Sequence, residues 1–463
     1  MVPGRRYFFA GAPASLVAAT SCLLAVGCGS AGGRPQDAAV GSGGAIGERD
    51  DSGGDGVGGG GTGDGHGGSG AGGSLIGGTG GATGVGGAGG APPTLFPAPA
   101  ISYATGSPGA YSIAAGDLDG DGNADLAVAN FGATDGQSAA TRGAMSVLFG
   151  DGSGGFRSPV VYQAGIGTHG VTIGDLNGDG RPDIVVANNG TSAVTGAYVV
   201  DGSVSVFLNV TASGAFAPAI DYAAGLRPES VAIGDLDEDG HADLLVANNG
   251  SNDVSLLRGS GDGTFAAAVA YPAGPAPKTV VMGDLDGDGH LDLVVTDNGD
   301  SNVSVLFGRD DGSLAAAVAY PLGGTNLHSA TLGDLNGDGH PDLATCSING
   351  SAGAGLVNVL LNDGHGAFGR ATAYAAGPST FYGDLGDLDG DGRLDLATVN
   401  EGDNTVSVFL NLGSGVLGAP LTLPVGVGPS AVEVTDLDRD GRPDVVTVNQ
   451  GDGTVSVLLN RRP

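Results

Sequence analysis

An acidic nine-residue pattern, D-x-[DN]-x-D-G-x-x-D, recurs along the chain. It begins at seven positions: Asp117, Asp175, Asp235, Asp284, Asp334, Asp387 and Asp436. Oxygen-bearing side chains at positions 1, 3, 5 and 9 make an all-oxygen ligand set, which suits Ca²⁺. Glycine at position 6 permits a sharp turn. Cysteine is absent from the pattern and histidine is not a systematic ligand, which argues against zinc or copper. The pattern therefore predicts up to seven structural Ca²⁺ sites.

An EF-hand loop and a plain Asp-Gly turn are the alternatives to this interpretation. An EF-hand needs a bidentate glutamate at position 12, where the first loop has Val128, and it needs flanking helices, for which the sequence shows no periodicity. A plain turn would explain one copy of the pattern. Seven copies, each with four spaced oxygen ligands, disfavour it.

The net charge of the chain points to a cation as its counterpart. Fifty acidic residues face 17 basic ones, which gives −33 at pH 7. Such a field will not attract nucleic acid or an anionic membrane surface. Carboxylates crowded into the loops repel one another unless a cation joins them, so Ca²⁺ binding should be coupled to folding. A chelator is therefore expected to lower the melting temperature.

The loops lie in repeated units of about 50 residues. The third unit reads SVAIG, the loop DLDEDGHAD, LLVAN, a turn, DVSLLRG, a second turn and AAVAYPAG. Short Val-rich runs between Gly, Asn and Asp predict four strands per unit. Seven such units predict an all-β fold, a seven-bladed β-propeller of four-stranded antiparallel blades over residues 93–463, with a solenoid as the rival architecture.

The two ends of the repeat region predict that the ring closes. The last unit stops after its third strand, TVSVLLN, whereas the segment before the first loop, LFPAPAISYATG, matches the fourth-strand segment TFAAAVAYPAG. A strand near Ile101–Ala104 would therefore complete the blade that contains Ala431 and Leu459. This N-terminal strand in the last blade would remove an open sheet edge.

The repeats resemble the FG-GAP repeats, also called VCBS-type repeats, of integrin α-subunit heads and many bacterial secreted proteins, over roughly residues 95–460. The resemblance implies that each loop binds Ca²⁺ through four side chains and the backbone carbonyl at position 7. The implied ligands, loop by loop, are Asp117, Asp119, Asp121, Asn123 and Asp125; Asp175, Asn177, Asp179, Arg181 and Asp183; Asp235, Asp237, Asp239, His241 and Asp243; Asp284, Asp286, Asp288, His290 and Asp292; Asp334, Asn336, Asp338, His340 and Asp342; Asp387, Asp389, Asp391, Arg393 and Asp395; and Asp436, Asp438, Asp440, Arg442 and Asp444.

Several loops depart from the pattern. Asn177 and Asn336 keep an oxygen but lose a charge, so loops two and five should bind Ca²⁺ more weakly. Gly383-Asp384-Leu385 imitates the start of the pattern just before loop six, which leaves the strand register there open. Loop seven follows Thr435 instead of glycine and carries Arg439 at position 4, whose charge would repel the ion slightly.

The resemblance also implies that the metal loops lie on one face of the propeller and that other connections lie on the opposite face. Residues five positions before each unit's leading glycine should ring the mouth of the central channel there. These ligand-face candidates are Tyr111, His169, Glu229, Lys278, His328 and Phe381, with Ser430 at the equivalent position of the last unit. Their mixed chemistry suggests a binding surface, and solvated loop ends are the alternative. The enlarged loops between the second and third strands of units one, two and five could carry recognition as well.

The N-terminus has the features of an export signal over residues 1–28. Arg5 and Arg6 precede an apolar stretch, and they fit either the general or the twin-arginine route. Ala25-Val26-Gly27-Cys28 resembles a bacterial lipobox, which implies lipidation of Cys28; an ordinary cleaved signal is the alternative. Residues 29–92 form a Gly-rich linker with little apolar surface to bury, so we expect a disordered tether. Cys346, in the apolar run LATCSI, is predicted to be a buried core residue.

We therefore predict a calcium-binding, cell-envelope-anchored propeller that acts as a binding or adhesion module. A glycan-binding lectin is the second hypothesis, and a polysaccharide-active enzyme using His169, His328, Lys278 and Glu229 is the third. No nucleophile elbow or zinc-protease motif occurs, so an enzyme is not expected. The partner would be a protein or a glycan, not nucleic acid, and the membrane would be reached only through the lipid anchor. The expected location is the outer membrane or cell surface, otherwise the periplasm or the exterior.

Overall fold

The computed structural model describes residues 95–132, 142–190, 201–322, 325–349 and 353–461. The predicted leader, Cys28 and the Gly-rich linker lie outside these residues, as do parts of the enlarged loops of units one, two and five. Every regular element in the described ranges is a β-strand. No helix in this part of the chain is long and apolar enough to cross a membrane.

The strands follow the repeat units in chain order. They are β1 (Ile101–Ala104), β2 (Ala110–Gly116), β3 (Asp125–Asn130), β4 (Arg142–Leu148), β5 (Val160–Ile166), β6 (Thr168–Gly174), β7 (Asp183–Asn188), β8 (Ser203–Phe207), β9 (Ile220–Ala223), β10 (Pro228–Gly234), β11 (Asp243–Asn248), β12 (Asp253–Leu257), β13 (Val269–Pro272), β14 (Pro277–Gly283), β15 (Asp292–Asp297), β16 (Asn302–Leu306), β17 (Val318–Pro321), β18 (Thr325–Gly333), β19 (Asp342–Asn349), β20 (Ala354–Leu360), β21 (Thr372–Pro378), β22 (Thr380–Gly386), β23 (Asp395–Asn400), β24 (Thr405–Phe409), β25 (Leu421–Pro424), β26 (Pro429–Thr435), β27 (Asp444–Asn449) and β28 (Thr454–Leu458).

These strands form seven four-stranded antiparallel sheets. Blades one to six take four consecutive strands each, from β2–β5 to β22–β25, and blade seven has the order β1-β28-β27-β26. The first strand of each blade contacts the first strands of both neighbours, and β2 contacts β26, so the blades form a closed ring. In blade seven Ile101 pairs with Val457 and Ala104 with Thr454. The seven-bladed propeller and its closure by the N-terminal strand are confirmed.

The core lies between neighbouring blades. The first six residues of the second strand are buried in every blade, as in β11, where Leu244 and Leu245 are both fully buried although they point to opposite faces. Each sheet is covered on both faces, so its middle strands are continuously apolar, and burial of this surface is the main stabilising force. Cys346 is buried in β19 between blades five and six, as predicted.

Aromatic contacts join the outer edges of successive blades. Tyr222 on β9 packs edge-on against Phe265 of blade three at 5.4 Å between ring centroids, and Tyr320 on β17 does the same with Phe368 of blade five at 5.5 Å. Tyr103 on β1 meets Phe156 of blade one at 5.3 Å. The last contact crosses the point of ring closure, so β1 is held by packing as well as by its sheet hydrogen bonds.

The strand register of blade six is settled. Gly386 pairs with Asp395, as Gly116 pairs with Asp125 in blade one. The acidic loop of unit six therefore begins at Asp387, and Asp384 belongs to β22. Phe381 consequently occupies the position equivalent to Tyr111.

Candidate metal centres and the channel mouth

Each acidic loop joins the first and second strands of its blade, and its own carboxylates shape it. The Asp at position 1 accepts the N–H of the position-6 glycine at 2.8–3.1 Å in all seven loops. The Asp at position 5 accepts the N–H of position 7 at 2.9–3.0 Å. The position-6 glycines have φ between 80° and 93°, a conformation that other residues adopt at a cost. Glycine is required there because the loop must turn its carboxylates inward.

The Asp at position 9 ties the loop to the rest of the blade. One oxygen accepts the N–H of position 2 at 2.8–3.2 Å. The other accepts an N–H just beyond the third strand at 2.7–2.9 Å. Burial raises the pKa of Asp125 and Asp183 to about 6, and that of Asp292, Asp395 and Asp444 to about 7. We predicted these residues only as ligands, and their role in organising the backbone was missed.

Carboxylate oxygens converge at five of the loops. Three such oxygens lie within 4.8 Å of one another in each group, from Asp117, Asp119 and Asp125; Asp235, Asp237 and Asp239; Asp284, Asp286 and Asp292; Asp387, Asp389 and Asp395; and Asp436, Asp438 and Asp444. In four groups the members are positions 1, 3 and 9, and in loop three they are positions 1, 3 and 5. Loops two and five, which contain Asn177 and Asn336, form no such group among the described residues.

Some of these oxygens are buried without a hydrogen-bond partner. They are Oδ1 of Asp117 and Asp119 in loop one, of Asp237 in loop three and of Asp438 in loop seven. A buried carboxylate oxygen that lacks a partner costs free energy, and a hard cation among three such carboxylates would supply that partner. The residues present therefore fit a divalent cation, most clearly in loops one and seven.

Arginines also approach the loops. Arg157 lies 3.1 Å from Asp119 and 3.3 Å from Asp121, and Arg461 lies 3.0 Å from Asp438. Both side chains are more than half exposed, so water screens these pairs and they contribute little. Arg181 and Arg393, which were predicted to offer a carbonyl at position 7, also pair with the position-5 Asp of their own loops.

Family models match the repeats that carry these loops. A model of the FG-GAP-like repeat matches residues 134–186, 193–246, 235–295, 284–345 and 387–447, and a model of the FG-GAP repeat matches residues 109–142 and 168–207. The chain belongs to the FG-GAP repeat proteins. No curated protein sequence matches this FG-GAP chain.

Solved structures share the propeller fold of this FG-GAP protein at low sequence identity. Hydrazine synthase of Kuenenia stuttgartiensis has a TM-score of 0.51 and 15% identity, over 78% of this chain and 98% of that one. A periplasmic gluconolactonase of Pseudomonas aeruginosa has a TM-score of 0.51 and 19% identity, over 69% and 86% of the two chains. At such identity the likeness shows the fold alone, a fold that some enzymes use.

The ligand-face candidates of the FG-GAP propeller meet across blade boundaries. The rings of Tyr111 and His169 lie 4.3 Å apart, and His169 Nδ1 lies 2.9 Å from Glu229 Oε2. Lys278 Nζ donates to the same Glu229 oxygen at 3.1 Å. Glu229 is only 3% exposed. Burial alone would raise its pKa, but the charges of His169 and Lys278 outweigh burial and lower that pKa to about 2. Glu229 is therefore ionised at neutral pH.

The remaining candidates continue the same ring. His328 packs edge-on against Phe381 at 4.3 Å, and its carbonyl accepts the hydroxyl of Thr279 at 2.9 Å. Ser430 Oγ donates to the carbonyl of Tyr111 at 2.8 Å, which brings the series back to blade one. Burial, and then the charge of Lys278, lower the pKa of His328 to about 3. These side chains thus contact one another across the blade boundaries; that they ring the mouth of the channel and contact a ligand stays a prediction.

Two buried carboxylates behind the mouth were not foreseen as a pair. Asp384 and Glu433 occupy the same repeat position in blades six and seven and are 3% and 4% exposed. Asp384 Oδ2 accepts the N–H of Val434 at 2.7 Å, and Glu433 Oε1 accepts the N–H of Ala115 at 3.0 Å. They line a cavity of about 80 Å³. Burial raises both pKa values well above their usual range, and the charge of Asp384 raises that of Glu433 further.

The sequence alone contains a pattern that distinguishes Asp384 and Glu433 from the other units. The equivalent residues in the other five units are uncharged: Ala114, Thr172, Ala232, Val281 and Thr331. Two acidic residues at a position that faces the neighbouring blade mark a departure from the repeat. We had instead interpreted Asp384 as an imitation of the loop pattern.

Proposed function

We propose that the acidic loops bind Ca²⁺ as structural clasps and that this calcium-stabilised propeller is an exported binding or adhesion module. The buried, unpartnered carboxylate oxygens in loops one and seven carry the first part of the proposal. Each belongs to a group of three converging carboxylates, and oxygen-only ligands of this kind prefer Ca²⁺. Loops two and five, with an asparagine each, would be the weaker sites.

Chelation tests the calcium clasps. Melting of the purified protein is compared in excess Ca²⁺, in excess Mg²⁺ and in EGTA. Because a ligand that binds only the folded state adds about 2.7 kcal/mol per site at a hundredfold excess over its Kd, several occupied sites should raise the melting temperature by many degrees. Mg²⁺ should restore little of the difference because its octahedral shell tolerates these loops poorly. Identical melting curves in Ca²⁺ and in EGTA would refute the proposal.

A matched pair of substitutions separates specific sites from general charge screening. Asp119→Asn in loop one removes one converging carboxylate and gives this loop the asparagine of loops two and five, so one ion fewer should be bound at limiting Ca²⁺. Asp151→Asn removes an exposed carboxylate from the next turn, where it accepts the N–H groups of Ser153 and Gly155. This change should leave the number of bound ions unchanged. Equal effects of the two changes would point to screening alone.

Recognition is proposed at the channel mouth, through Tyr111, His169, Lys278, His328 and Phe381. Aromatic faces beside a cation suit a protein or a glycan partner. Catalysis is the weaker proposal because Glu229 is held ionised beside Lys278 and His328 is held neutral, so neither has a pKa suited to proton transfer near pH 7.

A glycan array and a panel of candidate proteins, each probed with and without Ca²⁺, test the proposed face. Alanine at His169, Lys278 or His328 should weaken binding while melting in Ca²⁺ shows that the fold persists. Wild-type binding by all three variants would remove this ring from consideration. For the envelope anchor, Cys28→Ser should release the protein from the membrane fraction, whereas a variant that stays membrane-bound would contradict lipidation of Cys28.

A further inference from the structure

One arginine occupies a position that is apolar in every other blade. The residue directly after the third strand is Arg258 in blade three. Its equivalents in the other blades are Phe149, Leu208, Phe307, Leu361, Leu410 and Leu459. Several of these apolar side chains lie against a turn glycine of the next blade, as Phe307 lies against Gly366. Arg258 lies against the equivalent Gly312, so it replaces a packing residue.

The guanidinium of Arg258 reaches into loop three. Its Nη1 lies 3.0 Å from Asp237 Oδ2 and 2.8 Å from Asp243 Oδ2, which are positions 3 and 9 of the loop. Its Nη2 donates to the carbonyl of Gly312 in blade four. Arg258 is 27% exposed and Asp243 only 1%, so this pair is far less screened than those of Arg157 and Arg461.

Loop three also differs in how its carboxylates converge. In loops one, four, six and seven the position-9 carboxylate belongs to the group of three, but in loop three Asp243 is not a member. Asp235, Asp237 and Asp239 still converge, and Asp237 Oδ1 has no hydrogen-bond partner. A divalent ion placed there would lack Asp243 and would lie beside a fixed positive charge, which repels it.

We propose that Arg258 is the resident cation of loop three, so that its guanidinium, and not Ca²⁺, holds this loop closed. The inference rests on the proposed function, since it takes the other loops as calcium clasps. It makes loop three a metal-independent clasp that also fastens blade three to blade four through Gly312. Calcium stabilisation would then be distributed unevenly around the ring.

Ion counting by equilibrium dialysis against ⁴⁵Ca²⁺ tests the proposal in the full-length protein. Arg258→Leu, which installs the residue that four other blades use, should bind one Ca²⁺ more than wild type. At limiting Ca²⁺, Asp237→Asn should leave the wild-type count unchanged, whereas Asp286→Asn, which gives loop four the asparagine of the weaker loops two and five, should reduce it by one. An unchanged count in Arg258→Leu, or the loss of an ion in Asp237→Asn, would overturn the proposal.

Melting in EGTA supplies a readout that needs no calcium. Arg258→Leu leaves Asp237 and the buried Asp243 without their cation, so its melting temperature should fall by roughly 3–6 °C. Arg157→Leu removes an exposed arginine from loop one and should change it by no more than about 1 °C. A variant at position 258 that melts at or above the wild type would also overturn the proposal. If the protein binds no Ca²⁺ at all, the proposed function is refuted. The melting temperatures of Arg258→Leu and Arg157→Leu in EGTA still decide the role of Arg258.

Discussion

Asp297 ends the second strand of blade four, where the chain elsewhere prefers asparagine. The equivalents are Asn130, Asn188, Asn248, Asn400 and Asn449, with Ser347 in blade five. Each of these asparagines donates its side-chain N–H to a serine on the third strand at 2.8–2.9 Å. In blade four the direction is reversed, because Ser304 donates to Asp297 Oδ2 at 2.6 Å. Asp297 is fully buried and its Oδ1 lacks a partner, so we expect Asp297→Asn to stabilise the protein.

The size of this effect follows from the pKa of Asp297. Burial, together with the nearby charge of Asp300, raises that pKa from 3.8 to about 7 although the Ser304 hydrogen bond opposes the change. At about 1.4 kcal/mol per pKa unit, the ionised folded form is penalised by up to about 4 kcal/mol. In a domain of this size each kcal/mol moves the melting temperature by only about 1–2 °C, so Asp297→Asn should gain at most roughly 4–8 °C.

The sign of the pH dependence is fixed by the direction of the shift. The folded protein binds a proton at Asp297 more tightly than the unfolded chain does, so stability falls as pH rises from about 4 to about 7. The penalty is absent below this window and fully present above it. Asparagine does not titrate, and therefore the advantage of Asp297→Asn should be near zero at pH 4 and complete at pH 8.

Differential scanning calorimetry at pH 4.5 and pH 8, with saturating Ca²⁺ in both, measures this difference. The reciprocal change Asn449→Asp, at the matching position of blade seven, should lose stability at pH 8 and little at pH 4.5. An advantage of Asp297→Asn that is equal at both pH values would refute the reasoning, since it would come from packing and not from ionisation. So would a variant that melts below wild type at pH 8.

Two further predictions concern the channel. Glu433→Gln keeps an acceptor for the Ala115 N–H but removes a carboxyl group whose pKa is raised by burial and by the charge of Asp384. The variant should therefore melt above wild type at pH 8 and show no gain at pH 4.5. An equal gain at both pH values would contradict this prediction. Glu229→Gln leaves Lys278 with only a neutral partner and should destabilise the fold by roughly 3 kcal/mol in urea titrations. The number of bound Ca²⁺ ions should not change. A loss of stability near zero would show that the ion pair is not needed.

The repeats made the fold predictable because every unit carries the same signals. Alternation of short Val-rich runs with Gly, Asn and Asp identified the strands, and the match between the segment at Ile101 and the fourth strands located the closure. The loop positions followed from spacing, whereas the backbone role of the position-9 Asp did not. One of its N–H donors, such as Gly150 for Asp125, lies just beyond the third strand and 16 to 26 residues away in sequence, and only the folded blade brings the two together.

What differs between units was harder to predict than what they share. Arg258, Asp297 and the pair Asp384 and Glu433 each replace a neutral residue at a repeat position, yet their consequences depend on neighbouring blades. The role of Arg258 depends on its hydrogen bond to the carbonyl of Gly312 in the next blade, and that of Asp384 on the hydrogen bond from the Val434 N–H. The features that distinguish one blade from another therefore lie at positions that depart from the repeat.

The formal charge of −33 does not measure the repulsion that calcium must relieve. Asp297, Asp384 and Glu433 have raised pKa values, so protons already offset part of it, and the guanidinium of Arg258 neutralises part of loop three. Within the described residues no arginine pairs with the carboxylates of loop four, where Asp284, Asp286 and Asp292 converge. Adjacent blades three and four would thus be secured by different cations, one covalently attached and one supplied by the medium. The calcium dependence that we propose would follow from which loops lack a buried guanidinium such as that of Arg258, and not from the total number of acidic residues.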